Sequence, residues 1–68
     1  MTKTLAAQMM KSGIEVYHVS QPRAHYYMSD VDGRTVCHEG EEFLGYAVWS
    51  DLPNNGWNYV WRNIRRSI

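Results

Sequence analysis

His25-Tyr26-Tyr27-Met28-Ser29-Asp30-Val31-Asp32-Gly33-Arg34-Thr35-Val36-Cys37-His38 is the stretch that decides the fold. Two runs rich in β-formers flank an Asp-Gly pair. That pair favours a two-residue type I′ hairpin turn, because both turn positions need positive φ. Such a turn pairs Val31 with Arg34, Ser29 with Val36, Met28 with Cys37 and Tyr27 with His38. Side chains alternate along a strand, so one face carries Tyr26, Met28 and Cys37. The other carries His25, Tyr27, Ser29, Val36 and His38. The first face lacks histidine and is the better core face.

Working outward, Ile14 to Ser20 reads as a strand, broken at Gln21-Pro22 because proline cannot donate to a ladder. Before it, Thr2 or Thr4 can cap a helix over 3–12. Leu5, Ala6, Met9 and Met10 follow at helical spacing, and Gly13 suits the left-handed residue after a helix. Downstream, Glu39-Gly40-Glu41-Glu42 is a polar break. Phe43 to Leu52 stays open: Phe43, Leu44, Ala47 and Val48 fit a helix face, whereas Tyr46, Val48, Trp49 and the internal Gly45 fit the preferred strand. Asp51 to Gly56 is a turn. Asn55 can cap a last helix over 56–67, striped by Trp57, Val60 or Trp61, Ile64 and Ile68. The expectation is a single α+β domain over 1–68, in two layers. An antiparallel sheet of three to four strands is covered by an N-terminal and a C-terminal helix.

Composition bounds the function. At 68 residues the chain has room for a thin core and no deep cofactor cavity, and no cofactor is expected. With 44% hydrophobic and 21% charged residues it is unlike a disordered chain. No apolar run approaches a membrane helix, and no apolar stretch after Lys3 marks a secretory signal. One cysteine, Cys37, excludes an internal disulfide framework, and a reducing cytoplasm is the simplest setting. Seven basic residues balance seven acidic ones, so the cationic surplus of a general nucleic-acid binder is missing. The balance is uneven. All seven acids lie within 15–51, while Lys3, Lys11, Arg62, Arg65 and Arg66 lie outside it. Basic helices docked on an acidic sheet would account for this, as would a surface polarised towards a charged partner.

Chemistry-bearing residues are sparse. His18, His25 and His38 lack the i, i+4 spacing of a zinc helix, so no metal site is expected. His25 and His38 share one face of the hairpin, as half-exposed strand residues or as acid/base groups. Cys37 reads as a small buried residue, since acids surround it in sequence and a reactive thiol needs an electropositive site. The unusual feature is nine aromatic residues, three of them Trp. A core this thin cannot hold them all, and exposed Tyr, Trp and Arg make binding hot spots.

The order α-β-β-β-α, with a histidine before an Asp-Gly hairpin, resembles the HicA toxin family. The similar parts are Lys11-Ser12-Gly13, His25-Tyr26-Tyr27-Met28, Asp32-Gly33-Arg34 and Leu52-Pro53, spread over about half the chain. The resemblance implies a double-stranded-RNA-binding-domain-like fold and ribonuclease activity neutralised by an antitoxin, with His25 where the family has its catalytic histidine.

The leading expectation is a small binding protein that occupies a partner protein's surface, such as an inhibitor or accessory factor of a phage or mobile element. A homodimer is a sub-case, and RNA is a partner only under the HicA-like alternative. Contact is expected through the open sheet face and the turn before the last helix, with Arg23, Tyr27, His38, Trp49 and Trp57 as binding residues. Tyr27 and Trp57 are expected to be exposed rings.

Overall fold

A computed structural model describes residues 1–60 of the chain. Helix α1 (Lys3–Lys11) is followed by β1 (Val16–His18), β2 (His25–Met28), β3 (Thr35–Glu39), β4 (Glu42–Ala47), a 3-10 turn at Trp49–Asp51, and β5 (Trp57–Tyr59). The strands form one antiparallel sheet in the order β4-β3-β2-β1-β5. The α+β class is as expected, but the sheet has five strands rather than three to four.

The helix ends where its sequence ends it. Thr2 is the N-cap, its Oγ1 accepting the Leu5 amide at 3.2 Å. At the other end Gly13 takes φ +88°. The Gly13 amide bonds Met10 O at 2.9 Å and the Ile14 amide bonds Met9 O at 3.0 Å, closing a Schellman motif. The buried face of α1 is Ala6 and Met10, not the expected Leu5, which is 45% exposed. Ala6 has no side chain beyond Cβ, so the helix lies close over Val16, Tyr26 and Trp57. Val48 is exposed on the chain leaving β4.

The central hairpin keeps its faces and changes its register. Tyr26 pairs with Cys37, Tyr27 with Val36 and Met28 with Thr35. Asp32 does not adopt the positive φ that a type I′ turn demands; only Gly33 does, at +72°. A wider loop forms instead, closed by Ser29 N to Arg34 O at 2.8 Å and Gly33 N to Ser29 O at 3.0 Å. Within it the Ser29 Oγ accepts the Val31 amide and Asp32 Oδ1 accepts the Arg34 amide. The partners move by two residues, an even number, so Tyr26, Met28 and Cys37 still face the helix. The polar break at Glu39–Glu42 is a tight turn, with Gly40 at φ +60° in its first position.

The largest correction is at the end of the sheet. Trp57–Tyr59, expected to begin a helix, is a strand on the free edge of β1, pairing Tyr59 with Val16 and Trp57 with His18. The unpaired ladder groups of β1 outweigh the helical stripe, and Trp57 and Tyr59 are themselves strand formers. The rest of the expected helix, residues 61–67, lies outside the described residues. The N-terminus is tied to the same region. The Met1 ammonium donates to Trp57 O at 2.7 Å, the Lys3 amide to Asn54 O at 2.8 Å, and Lys3 Nζ to the carbonyls of Trp49 and Leu52.

Gly56 makes a sharp prediction. Its φ is +91°, and a Cβ there would stand 2.6 Å from His18 Nε2. That imidazole is fixed: the Ser20 amide donates to Nδ1 at 3.1 Å, so Nε2 carries the proton to Asn55 O at 2.7 Å. Gly56→Ala must strain the backbone and displace the ring together. It should cost about 1–3 kcal/mol, lowering Tm by at least several degrees in a thermal melt. An unchanged Tm would mean that His18 does not hold β5 in place.

Candidate functional site

The face of the sheet away from α1 is built by strand parity and one irregularity. His25 pairs with His38 and Tyr27 with Val36, while Tyr17 lies across from His25, so these five side chains share the face away from α1. On β4 the register shifts next to Cys37 and His38: Phe43 pairs with His38, Gly45 with Cys37 and Tyr46 with Val36. Leu44 is therefore an extra residue in a bulge. Three residues apart, Phe43 and Tyr46 would point oppositely in a regular strand; the bulge puts both on the histidine side. Their rings meet edge to face at 5.4 Å, and the Arg34 guanidinium sits 4.0 Å from the Tyr46 ring centroid.

At the middle of this face lies a group that no sequence motif announces. Glu15, the residue before β1, has a side chain only 1% exposed. Its Oε1 is 3.3 Å from His25 Nδ1 and 3.5 Å from His38 Nε2. The far nitrogens face backbone carbonyls, His25 Nε2 at 3.1 Å from Pro22 O and His38 Nδ1 at 2.8 Å from Gly40 O. The two imidazoles stand edge to face, 5.8 Å between centroids, with Tyr27 against His38 and Tyr17 against His25. Sequence reasoning placed both histidines on this face and missed Glu15. The available signal was a lone acid inside the apolar run Ile14-Glu15-Val16, in register for the histidine side.

The second feature is the β4 edge. Among the described residues β4 pairs with β3 only. It carries Phe43 at 58%, Leu44 at 48% and Tyr46 at 53% exposure, the densest group of exposed large apolar side chains described. Glu39, Glu41 and Glu42 crowd the turn at its start, all exposed.

The residues expected to bind divide between faces. Tyr27 and His38 lie on the face away from α1, half-buried and buried respectively. Arg23 is exposed in the turn before β2, lining a shallow groove with Pro22, Glu39 and Leu44. Trp49 is half-buried against the core, 5.1 Å from the Trp57 ring. Trp57 is not an exposed anchor: it is 2% exposed, packed edge-on to Tyr26 and His18, with Nε1 donating to Pro53 O at 2.8 Å. The loop before it is polar, but its backbone satisfies the indole N–H and lets the ring turn inward.

Cys37, half-buried on the helix side, has its thiol pushed up in pKa by burial, with its hydrogen bond to Tyr26 pulling the other way. Tyr26 is pushed up by burial and then by Cys37. Both groups are thus held neutral in the folded chain and ionise more readily in the unfolded one. Their contribution is complete below the ordinary thiol range and is lost as pH rises through the raised folded values. Denaturant midpoints should fall as pH passes through the thiol and phenol ranges, less steeply in Tyr26→Phe. Thiol alkylation at neutral pH should be slower in the folded than in the denatured protein; equal rates would contradict the burial argument. No family model, no curated protein and no solved structure matches this chain.

Proposed function

We propose that this chain is a small cytoplasmic binding protein, an inhibitor or accessory factor of the kind mobile elements carry, that acts by occupying a partner protein's surface. The observation that carries the reading is the β4 edge. An edge strand presents unpaired backbone donors and acceptors, and chains that avoid pairing blunt such edges with charge or proline. Here β4 begins at Glu42 and bulges at Leu44, but from Phe43 to Ala47 it carries neither charge nor proline and displays Phe43, Leu44 and Tyr46. An extended segment of a partner would add to β4 through its main chain, with the two rings setting side-chain preference. The acids at 39, 41 and 42 favour a basic residue where that segment passes the β3–β4 turn. That moves the expected contact from the loop before Trp57 to the other end of the sheet, keeping the face away from α1 as its flank.

Truncating a ring at such an anchor costs about 2 kcal/mol or more of binding, roughly thirtyfold in Kd. Phe43→Ala with Tyr46→Ala should therefore abolish recovery of a partner from cell extract while leaving Tm nearly unchanged. In sedimentation, a dimer dissolved by the same double variant would identify a second copy as the occupant. A monomer that retrieves nothing, or a double variant that retrieves as much as the parent, would sink the reading.

The HicA-like reading rests on His25, and Glu15 beside Nδ1 gives that imidazole the carboxylate neighbour a general base uses. It is the weaker reading, because Nε2 faces the Pro22 carbonyl. It predicts growth arrest on expression, relieved by His25→Ala; no arrest, or arrest unchanged by that substitution, removes it.

A further inference from the structure

Independently of any partner, we infer that Glu15, His25 and His38 form a binding site for one first-row transition-metal ion, and we commit to zinc. The argument starts from protons. A backbone carbonyl only accepts, so His38 Nδ1, 2.8 Å from Gly40 O, carries a hydrogen, and so does His25 Nε2, 3.1 Å from Pro22 O. In neutral imidazoles the remaining nitrogens, His38 Nε2 and His25 Nδ1, are then lone-pair acceptors. Both are aimed at the same carboxylate oxygen, Glu15 Oε1, which is also an acceptor. Three lone pairs converging on one small volume are a preformed donor set, and a single divalent cation accepts all three at once.

The distances suit the ion. Zinc–nitrogen and zinc–oxygen bonds of about 2.0–2.2 Å in a tetrahedron put donor atoms roughly 3.3–3.5 Å apart. Two of the three separations here are 3.3 and 3.5 Å, and all three donor atoms lie within 4.8 Å of one another. The carbonyls of Pro22 and Gly40 hold the far nitrogens in the manner usual for histidine ligands, fixing tautomer and ring plane before an ion arrives. Two imidazoles and one carboxylate favour zinc and its transition-metal neighbours over magnesium or calcium, which seek oxygen-rich shells. Three protein donors leave a fourth position for water. His25, whose side chain is 25% exposed, gives the site its path to solvent.

The test is titration of EDTA-stripped, dialysed protein with zinc chloride, read by calorimetry and by Tm. Cobalt(II) serves as a visible-absorption probe of low-coordinate geometry. One ion per chain should bind, Tm should rise with zinc concentration, and magnesium or calcium should do neither. His25→Ala, checked for its fold by circular dichroism in EDTA, should weaken zinc binding by more than the roughly 10–100-fold that an outer hydrogen-bond partner costs. His25→Asn, a smaller perturbation of the strand, should do the same. The absence of both a zinc-dependent Tm rise and a cobalt spectrum in the parent protein would overturn the site outright. So would undiminished affinity in either variant, which would place the ion elsewhere.

Discussion

Trp57 is the contact on which the described structure turns. Its indole meets Tyr26, His18 and Trp49 and closes a core otherwise built from Ala6, Met10, Val16 and Ala24. Those partners come from the helix, from β1 and β2, and from the turn that precedes β5. A chain this small has few large side chains to spend on its interior, so one ring joins elements that have little else in common. The backbone around it repeats the connection. Met1 bonds Trp57 through both its ammonium and its carbonyl, and Lys3 spans the turn at Trp49 and Leu52. The turn from 49 to 56, although polar, is thereby part of the scaffold.

With the helix side committed to this core, the other side of the sheet carries the carboxylate and both strand histidines. Glu15, Val36 and His38 are buried there, though α1 packs on the opposite side. A buried carboxylate between two imidazoles is costly unless each charge has a counterpart, and the carbonyls of Pro22 and Gly40 orient both rings towards it. The two features of this face, the Glu15 cluster and the Phe43–Tyr46 pair, meet through β3: His38 belongs to the first and pairs with Phe43 of the second.

What the sequence disclosed follows from the range of each interaction. The caps at Thr2 and Gly13 are local, and both are found where the residue types put them. The faces of the hairpin follow from the two-residue period and survive a change of register, because that change was even. The register itself depended on whether Asp32 would accept positive φ, a choice settled by Ser29 and Asp32 side chains bonding within a wider loop. β5 could not be read from its own residues. Three aromatic or polar positions became a strand because β1 offered an open edge, a condition visible only once the sheet exists. The Glu15 cluster escaped for the same reason: its members come from three segments, and no spacing rule links positions 15, 25 and 38.

The bulge at Leu44 sets what changes of length β4 will tolerate. Replacing any one of its side chains alters a contact and leaves the others where they were. Deleting Leu44 shortens the strand by one residue and restores a regular ladder in which Phe43 keeps His38 as its partner and Tyr46 keeps Val36. The two rings, then two residues apart, stay on the same side of the sheet. A regular ladder with Leu44 retained would instead send them to opposite faces. For the surface they form, identity is therefore a more stringent constraint than length: a lineage could shed the bulge by a single-codon deletion and keep the pair together.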